Sequence, residues 1–261
     1  MYLWNNHSLL NIPEHQINDL FQGNGVFETI LATNHANLLL WDRHIHRLQK
    51  GAHFLGTQLT IDIDRLHHAL VQHIQQKETD TCFRLNLILL PQRNDLIVRF
   101  HPFQWPTNPV SLYATNQYFR GNSPHYQYKT LSRLENNYLL KLAQANNCDD
   151  CLIQDSHSTI LETSLANIFF VRDDGVIETP IARNMPFLNG VVRQYLLDFQ
   201  KELNIQCLEK TIPLDAIHQY TQAFITNGLR LIQPVSNIAD WHFSHTDIAW
   251  SLKALLLSKI G

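Results

Sequence analysis

The stretch HYQYKTLSRLENN (residues 125–137) contains one lysine, Lys129, between an aromatic, polar run and the start of a helical pattern. A helix is predicted over residues 133–147, because apolar side chains recur there at helical spacing. The residues near that predicted face are Leu134, Tyr138, Leu142 and Ala145. The order of predicted elements changes at Lys129, so we expect one domain before this lysine and another after it.

Before Lys129, the sequence predicts a sheet flanked by two helices. Apolar residues over 25–33 and 36–41, joined by a short polar turn, indicate a β-hairpin. The other strands predicted in this half are 82–90, 95–100 and 110–119, and the helices are 42–56 and 61–76.

After Lys129, helices and short buried strands alternate, which is typical of an α/β or α+β domain. Besides the helix after the lysine, the predicted elements are strands 151–155, 166–171 and 223–226 and helices 191–204 and 247–260. The segment 119–127 is irregular, because it is rich in Gly, Pro and Asn. We therefore predict an N-terminal α/β domain over 1–118, a linker over 119–127 and a C-terminal α/β domain over 128–261.

The composition argues against several classes of protein. The 261 residues are 44% hydrophobic and 16% charged, which is enough apolar surface for a sizeable core. A formal net charge of −3 without a basic block argues against nucleic acid or an anionic membrane as partner. No apolar run reaches the ~18–20 residues of a membrane span, and the N-terminus does not resemble a signal peptide. We expect a cytoplasmic protein whose partner is a small molecule or another protein chain.

The cysteines and histidines do not predict a metal site. Cys148 and Cys151 form a single C-x-x-C, without a second pair or spaced histidines, so we expect small core-facing residues. His67, His68 and His73 lack the i, i+4 spacing of the H-E-x-x-H zinc motif, and solvated helix faces account for them.

Five features of the sequence match what a phosphorylated aldehyde cofactor requires. Lys129 supplies an amine for a Schiff base, and Glu162 a carboxylate for a pyridine nitrogen. Gly190 precedes a predicted helix, whose first N–H groups favour an anion. Thr226 adds a hydroxyl and Arg47 a positive charge for the phosphate.

Three of these residues, and the dipeptide after Thr226, also have a simpler interpretation. Lys129 could be an ordinary surface lysine, and Glu162 a solvated carboxylate at a strand edge or in a turn. Arg47 could pair with Asp42 or cover its own helix. Asn227-Gly228 is a common turn dipeptide, so its place after a strand could mean a turn and nothing more.

Six short segments resemble, in order, the motifs of the class IV, or fold-type IV, pyridoxal-phosphate enzymes. This family includes branched-chain aminotransferase, D-amino-acid aminotransferase and 4-amino-4-deoxychorismate lyase. The similar segments are GNGVFETI (23–30), HIHRL (44–48), YKTLSRL (128–134), ETSLANIFFV (162–171), LNGVVR (188–193) and ITNGLRLIQPV (225–235). The resemblance extends over nearly the whole chain.

The resemblance implies pyridoxal 5′-phosphate as cofactor and a role for each matching residue. Lys129 would hold the cofactor as a Schiff base and move protons, Glu162 would face the pyridine nitrogen, and Arg47 would contact the phosphate. The other implied contacts are Leu188 on the ring face, backbone N–H groups of Val191 and Val192 on the phosphate, and Thr226, Asn227 and Gly228 closing the phosphate cup.

The implied fold is α/β (α+β), the two-domain fold-type IV fold of D-amino-acid aminotransferase, with the cofactor between the domains. The implied assembly is a homodimer in which the neighbouring chain contributes to the pocket.

The resemblance is nearest to the lyases. The segment KTLSRLE (129–135) is similar to the form of the lysine motif found in 4-amino-4-deoxychorismate lyases, and TNGL (226–229) is also nearer to their phosphate loop. This implies release of pyruvate from 4-amino-4-deoxychorismate to leave 4-aminobenzoate, a folate precursor. The segment LLPQRNDLIVRF (89–100) departs from the lyase pattern, because it lacks glycines, and Asp95 departs from a D-amino-acid aminotransferase pattern. An aminotransferase for D- or branched-chain amino acids, and a cofactor-binding protein without turnover, stay open as alternatives.

A substrate with carboxylates requires cations in its pocket. The candidate residues for binding these carboxylates are Arg84, Arg93, Arg120, Arg133 and Arg230. Phe27 is expected to line the same pocket.

Overall fold

The computed structural model describes residues 2–4, 8–11, 23–77, 80–90 and 95–260. The described residues form two compact units. The first unit contains the residues up to Trp105 together with Tyr128–Arg133, and the second contains Pro106–Gln127 and Leu134–Ile260.

The first unit is built on a five-stranded antiparallel sheet with the strand order β2-β1-β5-β4-β3. Its strands and helices are β1 (Tyr2–Trp4), β2 (Leu9–Asn11), β3 (Val26–Ala32), α1 (Trp41–Phe54), α2 (Ile63–Gln75), β4 (Cys82–Leu90) and β5 (Asp95–Phe103). Both helices pack on one face of the sheet and form a single apolar core with it.

The sequence of β4 shows which face of this sheet is the core. Phe83, Leu85 and Leu87 alternate along the strand and join the core under the helices. Because side chains alternate between the two faces of a strand, Arg84 and Asn86 lie on the face away from the helices. This second face also carries Phe27 on β3.

The predicted hairpin strand over 36–41 is wrong. Leu38 makes an isolated bridge to Ala32, but the chain then turns and α1 begins at Trp41. Leu40 has a φ of 55°, the left-handed region, which ends an extended segment. Ala36, Leu38 and Leu39 are buried without forming a strand, and burial alone does not distinguish a turn from a strand.

The second unit contains a nine-stranded mixed sheet with the order β11-β10-β9-β12-β13-β6-β7-β8, and β14 pairs with β13. Its strands are β6 (Val110–Ala114), β7 (Asp150–Gln154), β8 (Ile160–Thr163), β9 (Asn167–Val171), β10 (Ile177–Pro180), β11 (Cys207–Lys210), β12 (Gln222–Asn227), β13 (Leu231–Ile238) and β14 (Trp241–His242). Its α-helices are α3 (Leu134–Ala145), α4 (Val191–Asp198) and α5 (Asp247–Ile260), and two 3₁₀ helices cover Pro124–Gln127 and Leu214–Gln219.

The buried face of α3 differs from the predicted one. Leu139 and Ala143 are fully buried, whereas Leu134 is 82% exposed and Tyr138 is 55% exposed. Leu139 and Ala143 pack with Cys151, and this cysteine is core-facing as predicted. The helix contains apolar residues on both faces, so periodicity alone does not identify the face that meets the sheet.

The two units do not follow the predicted domain boundaries. β6 lies before the predicted boundary at residue 118, but it pairs in parallel with β13 and β7 and is part of the second sheet. The segment Tyr128–Arg133 follows the predicted linker, but it belongs to the first unit. Pairing between strands that are distant in sequence decides both assignments, and a local pattern does not contain that information.

The segment that contains Lys129 is hydrogen-bonded beside β3. The backbone N–H of Phe27 donates to the Lys129 carbonyl at 2.9 Å, and that of Leu131 donates to the Gly25 carbonyl at 2.8 Å. A Cβ atom at Gly25 would lie 2.7 Å from a Leu131 side-chain carbon and 2.7 Å from the Leu89 carbonyl oxygen. Glycine at position 25 therefore permits the close approach that holds the backbone of Lys129.

We expect Gly25→Ala to lower the free energy of unfolding by about 1–3 kcal/mol, since the added methyl group overpacks this contact. Gly121→Ala is the matched control, because its added Cβ would meet nothing within 4 Å. Chemical denaturation of both variants tests this. Equal unfolding free energies would show that the lysine segment moves aside at no cost.

Candidate active site

Lys129 lies against an aromatic side chain in the first unit. Its Nζ is 4.6 Å from the ring centroid of Phe27, and the Arg133 guanidinium carbon is 5.6 Å from the same ring. Lys129 is half-buried. The structure thus places the predicted cofactor lysine, the predicted pocket residue Phe27 and one candidate arginine together.

Arg47 is held by a carboxylate that the sequence analysis did not single out. The Arg47 Nε donates to Glu28 Oε1 at 2.8 Å, and its Nη2 donates to Glu28 Oε2 at 2.6 Å. His44 Nδ1 lies 2.7 Å from Glu28 Oε2. Arg47 therefore pairs with Glu28 and not with Asp42. Two features of the sequence indicate this contact. Glu28 is the one acid in an apolar strand, and His44 and Arg47 are three residues apart on the helix that follows, so they share one of its faces.

The three side chains form a buried group with no net charge. Burial raises the pKa of Glu28, but the charge and hydrogen bonds of Arg47 and the hydrogen bond of His44 outweigh it, and the pKa falls to about 2. Burial lowers the pKa of His44, so its ring is neutral and Nδ1–H donates to the Glu28 carboxylate. Glu28 thereby fixes the edge of the Arg47 guanidinium that carries Nε and Nη2. The Nη1 atom makes no hydrogen bond within the described part of the chain. A phosphate contact through Nη1 stays a prediction.

We expect Glu28→Gln to lower the free energy of unfolding by about 3 kcal/mol at neutral pH, because Arg47 loses its carboxylate in a nearly buried place. The pKa of Glu28 is about 2 in the folded chain, against 4.5 for an ordinary glutamate, so its stabilisation is present above pH 4.5 and is lost as the pH falls towards 2. Unfolding measured from pH 2 to 7 should therefore show the variant and the native chain converging in acid.

The exposed Glu202 offers a control, since Glu202→Gln should leave the pH dependence unchanged. A stability difference between Glu28→Gln and the native chain that stays constant from pH 2 to 7 would contradict the assignment.

Glu162 is buried within the second unit. It is 8% exposed, its Oε1 accepts from Arg120 Nη1 at 2.6 Å, and the backbone N–H of Leu188 also donates to it. Burial raises the pKa of Glu162 more than Arg120 lowers it. Glu162 is thus not a solvated strand-edge carboxylate. The ionised form of a buried acid of this kind is stabilised when a second cation, such as a pyridinium, faces it.

Asn167 links Glu162 to the loop before α4. Its Nδ2 donates to the Leu188 carbonyl at 2.7 Å and contacts Glu162 Oε2 at 3.5 Å. Its Oδ1 accepts from the Gly190 N–H at 3.0 Å, and a Cβ on Gly190 would lie 2.3 Å from that oxygen. Asn167 is inside the motif ETSLANIFFV, but the sequence analysis gave it no role.

The residues of the predicted phosphate cup fit an anion. Helix α4 begins at Val191, directly after Gly190, and no side chain caps its first N–H groups. Thr226 is the β12 partner of Asn167 in the sheet register, which places it beside the Gly190 loop. Its buried Oγ1 has no hydrogen-bond partner among the described residues. A phosphate would supply acceptor oxygens to this hydroxyl and to the N–H groups of Val191 and Val192.

Asn227 and Gly228 form the turn after β12. Asn227 Oδ1 accepts from the N–H groups of Leu229 and Arg230 at 3.0 and 2.8 Å, and its Nδ2 donates to the Leu165 carbonyl at 3.3 Å. The Asn227 side chain therefore shapes the turn, as the simpler interpretation proposed. Roles for Asn227 and Gly228 in the cup stay predictions.

The candidate substrate arginines have different surroundings. Arg120 donates to Glu135 and Glu162, and Arg230 Nη1 donates to Gln233 Oε1 at 3.2 Å, so both are engaged inside the second unit. Arg84 has a buried Nε without a partner among the described residues. Arg93 lies outside the described residues. These contacts favour Arg84 over Arg120 as a ligand for a substrate carboxylate.

We expect Gly190→Ala to weaken the binding of pyridoxal 5′-phosphate about tenfold, because the new Cβ displaces Asn167 and costs at least one hydrogen bond in the loop. A titration followed by absorbance gives the dissociation constant, and Gly121→Ala is the control. A folded Gly190→Ala chain with native affinity would show that this loop does not hold the cofactor.

Comparison with known proteins identifies the class of this chain. A family model described as amino-transferase class IV matches residues 25–238. The chain therefore belongs to the class IV aminotransferase family. Membership confirms the predicted resemblance and the fold-type IV architecture, and pyridoxal 5′-phosphate as the cofactor. Enzymes of this class act on amino or keto acids.

Individual relatives differ in the activity for which they are named. A Rickettsia conorii protein named as a branched-chain-amino-acid aminotransferase is 25% identical over 248 residues, covering 84% of this chain and 79% of the relative. A D-alanine aminotransferase of Listeria monocytogenes is 23% identical over 83% of this chain and 78% of its own length. A Legionella pneumophila crystal structure, named as a 4-amino-4-deoxychorismate lyase, has a TM-score of 0.84 and 25% identity over 95% of this chain and 96% of that chain. The Rickettsia and Legionella names are provisional.

Two further kinds of feature do not occur among the described residues. No helix there is long and apolar enough to cross a membrane. No group of three or more His, Cys, Asp or Glu side chains in the same residues is placed to hold a metal ion.

Proposed function

We propose that this chain is a pyridoxal-phosphate-dependent 4-amino-4-deoxychorismate lyase, which releases pyruvate and leaves 4-aminobenzoate for folate synthesis. The observation that carries this choice is the segment KTLSRLE (129–135), which resembles the lysine motif of those lyases. Its last residue, Glu135, is built into the buried network that holds Glu162. The similarity to the Legionella structure supports the same choice.

Lys129 has two tasks in this proposal. It would hold the cofactor through its Nζ, and once the substrate amine has replaced it there, Nζ would accept the proton from the carbon that bears that amine. The cofactor, when bound, supplies the electron sink for the charge that this proton leaves behind. The half-buried setting of Lys129 against Phe27 keeps the amine beside an apolar surface, where water competes less for the proton.

The other residues bind and orient. Glu162 would pair with the pyridine nitrogen, and Thr226, Val191 and Val192 would donate to the phosphate. Arg47, fixed by Glu28, would donate to the phosphate through Nη1. We also infer that the chain works as a homodimer, since the family that it resembles does so.

The lyase and the aminotransferase differ in the step after proton removal. A lyase loses the leaving group from the neighbouring carbon, and the proton that Lys129 accepted would go to that group as it becomes pyruvate. The other product gains an aromatic ring, so no second half-reaction with a keto acid is needed. In an aminotransferase, Lys129 would instead give the proton back, and a keto acid would be required to accept the amino group. Lys129 performs the first step in both cases, so the substrate decides the outcome.

An aminotransferase for branched-chain or D-amino acids is the second candidate. The Rickettsia and Listeria relatives favour it, because their names assign those activities to proteins that align with more than four-fifths of this chain.

The substrate carries carboxylates, and we propose Arg84 as one of their ligands. Its buried Nε has no partner among the described residues, and its side chain lies on the sheet face that also carries Phe27. Arg133, above the Phe27 ring, is a further candidate.

The deciding experiment supplies 4-amino-4-deoxychorismate to the cofactor-loaded chain without any keto acid. We expect pyruvate and 4-aminobenzoate in equal amounts, and loss of both products with Lys129→Ala, because the proton acceptor is removed. Amino transfer from alanine or a branched-chain amino acid to 2-oxoglutarate, without lyase turnover, would replace the lyase by the aminotransferase. Bound cofactor without either activity on a broad panel of amines would favour the cofactor-binding protein.

A further inference from the structure

Arg120 lies between two carboxylates inside the second unit. It is 3% exposed, its Nη1 donates to Glu162 Oε1 at 2.6 Å, and its Nη2 donates to Glu135 Oε2 at 2.6 Å. Glu135 is in the first turn of α3, and Glu162 is on β8. One guanidinium thus joins two elements that are separate in the chain.

All three nitrogens of the Arg120 guanidinium, and one face of its plane, have partners. Its Nε donates to Glu135 Oε1 at 3.2 Å, and its Nη1 also donates to the Pro186 carbonyl at 3.1 Å. The Tyr126 ring centroid lies 4.4 Å from the guanidinium carbon. Because all three nitrogens and one face of the plane have partners, the orientation of Arg120 is determined, and with it the orientation of Glu162.

The network has two carboxyl groups for one guanidinium. Glu135 and Glu162 both contact the one guanidinium of Arg120, so with both carboxyl groups ionised the cluster would hold two negative charges and one positive charge. Tyr118 donates its hydroxyl to Glu135 and Tyr126 lies beside it, but burial raises the pKa of both phenols, so they stay neutral. A buried cluster with one excess negative charge is unfavourable until a cation faces it.

A protonated pyridine nitrogen against Glu162 is such a cation. Two arrangements compete for its proton, namely the ionic pair of pyridinium and carboxylate, and the neutral pair of pyridine and carboxylic acid. Burial alone favours the neutral pair, and a positive charge beside the carboxylate favours the ionic pair. The presence of Arg120 next to Glu162 therefore affects where the proton resides.

We propose that Arg120 is a positioning residue, which orients Glu162 and keeps it ionised so that the proton stays on the pyridine nitrogen of the cofactor. Arg120 also pairs with Glu135, so its positive charge does not fully offset the negative charge of Glu162. The remaining negative potential at Glu162 holds the proton on the pyridine nitrogen. The proposal rests on the proposed contact between Glu162 and the pyridine nitrogen.

The test uses the chain loaded with pyridoxal 5′-phosphate that carries nitrogen-15 in its ring, because the chemical shift of that nitrogen reports its protonation. In Arg120→Met we expect the signal to move at neutral pH towards the unprotonated position, and in Arg120→Lys, which keeps the charge, we expect the native signal. In Glu135→Gln the signal should be native at neutral pH, but the nitrogen should lose its proton about one pH unit lower on titration with base, a tenfold loss of proton affinity.

Two controls separate the possible failures. Glu162→Gln removes the proposed partner, so an unchanged nitrogen signal in that variant would overturn the proposed contact itself. The other failure is a nitrogen signal that changes in Glu162→Gln but stays native, as does its titration, in both Arg120→Met and Glu135→Gln. That outcome would overturn the role of Arg120 and leave the contact of Glu162 in place. Arg172→Lys, at a half-exposed arginine of the second unit, controls for the substitution of an arginine as such. If Arg120→Met does not fold, the titration of Glu135→Gln decides by itself.

Discussion

Asn167 has one side-chain amide that contacts three parts of the second unit, and the geometry of the proposed cofactor ligands there depends on it. Its Nδ2 contacts Glu162 and donates to the Leu188 carbonyl, and its Oδ1 accepts from Gly190. Since Asn167 also begins β9, the pairing of β9 with β12 fixes Thr226 relative to the same amide. One residue therefore sets the separation between Glu162 and the proposed phosphate donors of the second unit. Only glycine at position 190 permits this, because a Cβ would occupy the place of the Asn167 oxygen.

Each unit contains a buried carboxylate bound to an arginine, and the two carboxylates differ in what they can do. Glu28 has Arg47 as a bidentate partner and His44 in addition, so its pKa falls to about 2 and it holds Arg47 in place. Glu162 shares Arg120 with Glu135, and burial leaves its pKa raised. The first carboxylate is fully compensated and fixes structure. The second is compensated in part, which suits the proposed role of Glu162 opposite a cation of the cofactor.

Local patterns predicted the elements whose burial is regular. The strand of β4 was predicted over its full length, 82–90, because its apolar residues alternate. The segment 36–41 was predicted as a strand and is a turn followed by the start of α1, because the left-handed Leu40 has no signature in the pattern. On α3 the apolar Leu134 and Tyr138 are exposed, since the sheet contacts the neighbouring face with Leu139 and Ala143. The local pattern predicts which element forms, and tertiary packing decides which face of that element is buried.

The sequence by itself determined the family, the cofactor and the residue types that the chemistry needs, because the motifs around Lys129, Glu162 and Gly190 stand in the order of the class IV enzymes. Only the tertiary structure decided which charge meets which. Glu28 meets Arg47 across 19 residues, and Glu162 meets Arg120 across 42. Such ion pairs arise where the chain returns to itself through sheet pairing, and the strength of each pair depends on burial and on a third charge nearby. Neither quantity is present in a local stretch of sequence.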